Sequence, residues 1–269
     1  MNLLVISSAP ILRRNDAYVA YAPYVREMDI WFEQLELINV VCPTKHSGAL
    51  LTEKFERQDL LIHTAPNLYI GNLKGMLCAI IYIPLIVSRL IREMQAADHI
   101  HLRCPGNIGL LGALVQLFFP QKKKTAKYAG NWDPKAKQPW SYNLQKWILS
   151  NSFLTRNMQV LVYGDWPHQS KNIKSFFTAT YTEADKKALP QRKYDLPLRF
   201  LFVGSLVPGK RPLYALELVN ELISKGFPAE LHFYGDGPQK ELLLEFIAEH
   251  HLEKSAFLHG NQSASVLGE

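Results

Sequence analysis

The sequence predicts an α/β protein built on parallel sheets. Two observations carry this. Short apolar runs of strand length alternate with stretches of helical periodicity along the chain, and from Phe200 onward each strand-to-helix turn holds a glycine. A βαβα succession implies a parallel sheet with helices on its faces, whose ligands bind beyond the carboxyl ends of the strands.

The N-terminal half opens directly on a strand, Leu3 to Ile6, with no basic segment or cleavage site of a signal peptide before it. Leu37 to Val41, Leu68 to Ile70 and His99 to Leu102 read as further strands, and Met76 to Arg92 as a helix. Met76 to Val87 is almost wholly apolar, but it is shorter than the ~20 residues of a membrane span and Pro84 interrupts it, so a buried or interfacial helix is expected. Ile108 to Phe119 is a second such helix. Lys122, Lys123, Lys124 and Lys127 follow it at once, either as an anionic-membrane contact or as the cationic end of a core helix. Residues 1–177 form a first Rossmann-like domain. Residues 178–197, with few periodic apolar positions and two prolines, read as a linker.

Residues 198–269 form the second domain. Phe200 to Val203 is a strand, and helical periodicity starts near Pro212, with Leu213, Leu216, Val219, Leu222 and Ile223 on one face and Gly226 placed to end the helix. The unit then repeats: Leu231, Phe233 and Tyr234 lead into Gly235, Asp236, Gly237 and Pro238, and Leu242, Leu243, Phe246 and Ile247 recur at helix spacing. Pro238 fits the first helical position, where a missing N–H costs little. Gly204 and Gly209 allow close backbone approach, helix N–H groups favour phosphate, and Lys210 adds a cation. Turn chemistry alone explains the glycines equally well. Neither the dinucleotide fingerprint nor the P-loop is present.

Composition fits two globular units: 269 residues, 48% hydrophobic and 20% charged. Cys42, Cys78 and Cys104 lie far apart without a CxxC pair, which argues for reduced thiols in a cytoplasmic protein and against a zinc site. The net charge of +6 favours anionic partners. The basic residues are scattered, however, and no nucleic-acid module is present, so nucleic acid is not an expected partner.

In the first domain, two turns collect polar residues. Arg103 and Asn107 lie in the turn after the His99 strand, and Asn131 and Asp133 in a later one. A guanidinium holds phosphate or carboxylate bidentately, although a surface salt bridge is the plainer role for Arg103. Asn107 and Gly109 also suit a helix cap, and Asp133 before proline suits a turn. His99 and His101 share one strand face, where a satisfied core histidine is the default.

The string VGSLVPGK, followed by YGDGP and then FLHG, resembles the C-terminal domain of group 1 (family four) GT-B glycosyltransferases over Phe200 to Gly260. That resemblance implies two Rossmann-like domains, the second incomplete here, because the family's glutamate motif and terminal helix would follow Glu269. By usual domain size roughly a hundred residues are absent. It implies a retaining enzyme, without cofactor or bound metal, that moves a sugar from a nucleotide-sugar donor to a glycan or lipid-linked acceptor in surface-polysaccharide synthesis. Such an enzyme is expected in the cytoplasm, with possible peripheral contact at the inner membrane face. As it stands, the chain is expected to be inactive alone. Lys210 matches the family's diphosphate-binding lysine; Ser205 replaces the arginine that usually accompanies it, with Arg211 as a possible substitute. Gly204, Gly235, Asp236 and Gly237 carry over as donor contacts. Arg103, Asn107 and Asn131 fall on the acceptor side, and Asp133 where the family places a polar catalytic-cleft residue, often histidine. The alternative is a non-catalytic glycan- or membrane-binding remnant of such an enzyme.

Overall fold

The computed structural model describes residues 1–47, 50–68, 73–177, 186 and 195–262. The chain forms two compact units, Met1–Lys186 and Lys187–Glu269. In chain order the first contains β1 (Asn2–Ile6), β2 (Leu12–Arg14), β3 (Ala17–Tyr21), α1 (Ala22–Phe32), β4 (Leu37–Cys42), β5 (Thr52–Lys54), β6 (Leu61–Thr64), α2 (Leu73–Ala96), β7 (His99–Cys104), α3 (Asn107–Val115), β8 (Lys123–Tyr128), α4 (Trp140–Ser150), β9 (Met158–Val162) and β10 (Ile173–Ser175). The second contains β11 (Leu198–Val203), α5 (Pro212–Ser224), β12 (Ala229–Tyr234), α6 (Lys240–Glu249) and β13 (Ala256–Leu258).

In the first unit a seven-stranded parallel sheet runs β10-β9-β8-β7-β1-β4-β6. Leu3, Leu4, Val5 and Ile6 are all buried, as a central parallel strand requires, because helices cover both of its faces. Leu4, Ile6, Ile100 and Leu102 pack on one side with residues of α2, α3 and α4. Leu3, Val5, Ile38 and Val40 pack on the other with Tyr24, Val25, Met28 and Phe32 of α1. The order reverses between β1 and β7, so the loops after these two strands diverge and leave a crevice at the sheet's carboxyl edge.

A small antiparallel sheet, β2-β3-β5, accompanies this core. Asn15 and Asp16, at φ 45° and 59°, form the two-residue turn between β2 and β3. Arg13 and Arg14 both lie in β2, and Arg13 pairs with Asp16 at 3.1 Å across the hairpin turn.

Two expectations change. Leu68 lies outside any strand, and Tyr69 and Ile70 fall outside the described residues; the sheet-edge position is taken by β6, whose half-exposed residues lack a continuous apolar run. The lysines after α3 do not make a surface patch. Lys124 and Lys127 lie in β8, 2% and 1% exposed, with Lys124 Nζ donating to the Phe119 carbonyl at 2.9 Å. Lys122 Nζ donates to the Gln95 and Ala97 carbonyls at 2.8 and 2.7 Å. These contacts hold the Lys122 and Lys124 ammonium groups on backbone carbonyls. Of the expected linker at 178–197, all but Lys186 and Asp195 to Pro197 lies outside the described residues.

The second unit is a three-stranded parallel sheet, β11-β12-β13, packed through Leu216, Val219, Leu231, Phe233, Leu243 and Ile247. Gly226, at φ 84°, ends α5: its N–H reaches the Ile223 carbonyl and the Phe227 N–H reaches Leu222, the left-handed cap that glycine permits. Pro238 does not open the following helix. It lies in a turn closed by Lys240 N–H on the Gly237 carbonyl, and α6 starts at Lys240. No helix among the described residues is long and apolar enough to cross a membrane.

Candidate functional site

In the second unit the backbone stitches two loops into one floor. β11 and β12 end in register, Val203 beside Tyr234. The Gly204 N–H then donates to the Tyr234 carbonyl at 2.9 Å and the Leu206 N–H to the Asp236 carbonyl at 3.0 Å; the Gln239 N–H returns to the Leu206 carbonyl at 3.0 Å. The approach is so close that a β-carbon at Gly235 (φ 151°) would lie 1.9 Å from the Gly204 oxygen, and one at Gly237 would lie 2.6 Å from the Leu206 oxygen. This use of Gln239 as a tie also explains the delayed start of α6. Gly209 has open space around it, so packing does not demand a glycine there.

Ser205, Pro208, Gly209 and Lys210 stand exposed on this floor. Residues Pro208–Lys210 form one 3-10 turn that delivers the chain into α5, whose N-terminus has no side-chain cap. Uncapped N–H groups at a helix start attract anions, and Lys210 is the basic residue of that turn. The structure thus brings Gly204, Ser205, Lys210, Gly235, Asp236 and Gly237 to one sheet edge. The Arg211 guanidinium lies 4.4 Å from the Tyr214 ring centroid, over the first turn of α5.

In the first unit, Gly106 (φ 154°) follows β7 and approaches the loop after β1: a β-carbon there would lie 2.3 Å from Ser8 Oγ. Ser8 Oγ accepts the Ile108 N–H at 3.3 Å, and Asn107 Nδ2 donates to the Leu68 carbonyl at 2.6 Å. Asn107 is therefore the first residue of α3 without capping it. Gly109 is fixed by packing, since a β-carbon would meet the Arg103 carbonyl at 2.7 Å. Ser8, Leu68, Gly106, Asn107, Ser141 and Tyr142 line a pocket of about 340 Å³ at the divergence of β1 and β7.

The other first-unit candidates lie elsewhere. Arg103 pairs with Glu27 of α1 and lies 5.0 Å from the Tyr24 ring centroid, so its charge serves a buried ion pair. Glu27 also accepts from Lys127 at 2.7 Å. Asn131 Oδ1 accepts the Asp133 N–H at 2.9 Å and Asp133 Oδ1 the Lys135 N–H at 2.8 Å, two consecutive side-chain turns. The Asp133 carbonyl also takes Lys146 Nζ at 2.9 Å. Neither residue lines the Asn107 pocket.

His101 is wholly buried. Its Nδ1 meets Thr125 Oγ1 at 2.8 Å, Trp31 packs at 4.5 Å between ring centroids, and Nε2 has no hydrogen-bond partner among the described residues. Burial, with Arg103, His99 and Lys127 nearby, pushes its pKa down to about 3, so it is neutral. Burial likewise pushes the Cys104 thiol up to about 12 and leaves it unreactive. Sequence reasoning missed Glu27 as a counter-charge. The signal for Glu27 was an acid placed among Tyr24, Val25 and Met28 on the buried face of a helix.

No family model and no curated protein sequence matches the chain. Solved structures do. The apo lipopolysaccharide outer core galactosyltransferase WaaB superposes with a TM-score of 0.62 at 13% identity, covering 99% of this chain and 70% of that one. Sucrose-phosphate synthase from Thermosynechococcus elongatus gives 0.58 at 16%, covering 100% and 72%. TarM of S. aureus gives 0.46 at 19%, covering 67% of this chain, which spans only 37% of TarM's length. A UDP-N-acetylglucosamine 2-epimerase also superposes, at 0.52 and 9% identity. The fold is therefore of GT-B type, α/β with Rossmann-like parallel sheets, a fold used for sugar transfer and for epimerisation.

Proposed function

On a fold of GT-B type, we propose that the chain belongs to the machinery of glycosyl transfer: a sugar moves from a nucleotide donor to a glycan or lipid-linked acceptor, with retention and without a bound metal, in surface-polysaccharide assembly at the inner face of a membrane. The observation that carries this is the stitched floor of Gly204–Leu206 and Gly235–Gly237, with Lys210 and the uncapped start of α5 beside it. Breaking a bond from sugar to diphosphate develops negative charge on the leaving group. Fixed N–H donors and a cation placed where that charge appears lower the barrier without reorganising. The Lys210 ammonium and backbone N–H groups supply both. Bound through the diphosphate, the nucleotide lies along the loops, and the unsubstituted Cα positions of Gly235 and Gly237 keep the floor flat. The Ser8, Gly106 and Asn107 pocket is the acceptor-side counterpart in the first unit. Asp133 and Asn131 shape their turn, and Arg103 is held in a buried ion pair with Glu27.

The test is calorimetric titration of the protein with UDP, GDP and the matching monophosphates. Diphosphates should bind more tightly than monophosphates, and Lys210→Ala should weaken diphosphate binding about tenfold, the usual worth of a charge-assisted hydrogen bond. Equal affinities for wild type and variant would remove Lys210 from the site. The replacement of the family arginine by exposed Ser205 favours a second reading, a protein that binds without turnover. Donor binding with no sugar release or transfer would select it.

A further inference from the structure

The long helix α2 has two apolar faces, one buried and one exposed. Ala79, Ile86, Leu90 and Met94 are buried against the sheet. On the opposite side Leu77, Ile80, Ile81 and Leu85 expose 57%, 68%, 65% and 63% of their surface. These positions recur at helix spacing and form one stripe where a water-facing helix is ordinarily polar. Polarity returns one turn later, with Ser88, Arg89 and Arg92.

The charge around the stripe has one sign. From Leu60 to Arg92 the sequence contains no aspartate or glutamate, whereas Lys74, Arg89 and Arg92 lie on the helix. Arg89 and Arg92 open on a pocket of about 330 Å³ lined also by Tyr82, Leu85, Thr64 and Pro66, with Arg89 Nη1 held by the Thr64 carbonyl at 2.8 Å. Glu93, the next carboxylate, is 3.5 Å from His63 Nε2.

We infer that this face of α2 docks on an anionic lipid surface. Leu77, Ile80, Ile81 and Leu85 enter the acyl boundary, and Arg89 and Arg92 meet headgroup phosphates. The helix lies in the interface and does not cross it, in keeping with its buried rear face. A second copy of the chain is a poorer occupant, because a self-complementary contact would bring like charges together with no carboxylate in the stretch to answer them. The inference gives the membrane contact of the proposed function a surface and a lipid class, and its test is independent of donor binding.

The full chain should co-sediment with vesicles of equal phosphatidylglycerol and phosphatidylcholine. Binding should weaken at least tenfold with phosphatidylcholine alone. The triple variant I80S/I81S/L85S, changed only at exposed positions, should lose at least tenfold in partitioning while its circular dichroism and its diphosphate binding stay those of wild type. Arg92→Gln should reduce the preference for phosphatidylglycerol. Wild type that stays in the supernatant, or a triple variant that sediments equally well, would overturn the inference. So would a concentration-dependent dimer that the triple variant abolishes, because a second copy would then cover the face.

Discussion

A methyl group at Gly235 would sit 1.9 Å from the Gly204 carbonyl oxygen, on a backbone at φ 151° that L-residues rarely adopt. Gly235→Ala should therefore destabilise the second unit by on the order of 3 kcal/mol, through strain and displacement of the neighbouring loop. Gly209→Ala, in open space, should cost no more than about 1 kcal/mol. Denaturant unfolding of the two variants reads the contrast, and equal losses would contradict the stitched-floor geometry. The sequence marks both glycines as turn residues. It does not separate them, because which one faces another backbone is set by the register of β11 on β12.

At the scale of elements, β7 and β8 are telling because their α1-facing positions are polar. His101, Arg103, Thr125 and Lys127 occupy places where apolar side chains stand on β1 and β4. The alternation of His99 and His101 was legible as one strand face, and so was the default of a core histidine. The fate of the lysines was not legible, since lysine is almost never fully buried and its partner here, Glu27, lies a hundred residues from Lys127. Glu27→Gln should cost about 3–5 kcal/mol, because it deprives Arg103 and Lys127 of the carboxylate they share. A fall in thermal midpoint of only a degree or two would show that the pair is incidental. His101 adds a pH dependence. Its folded pKa, about 3, lies below the ordinary 6.5, so the unfolded chain binds the proton more readily and stability falls as pH drops from about 6.5 toward 3. His101→Gln should flatten thermal midpoint against pH over that interval; an unchanged slope would show that His101 is not the group responsible.

For the whole molecule, the alternation of apolar runs and helical periods was enough to read the α/β class, because buried parallel strands need continuous Val, Ile and Leu. The β2-β3-β5 sheet was not read. Its strands are short, and β2 carries two arginines in place of an apolar alternation; the one signal was Asn15-Asp16, a pair suited to a tight hairpin. On the candidate site, glycine spacing located the second unit's loops, whereas in the first unit Arg103 and Asp133 proved to be occupied in an ion pair and a turn.

The central claim is that the second unit's loop floor receives a nucleoside diphosphate. Backbone amide NMR of the labelled protein during titration with UDP and with GDP tests it most directly, because chemical shifts report weak as well as tight binding. The account predicts saturable shifts at Gly204 to Arg211 and at Gly235 to Gly237 with at least one of the two nucleotides, lost in Lys210→Ala. Shifts absent from these loops at saturating nucleotide, or confined to the first unit, would contradict it.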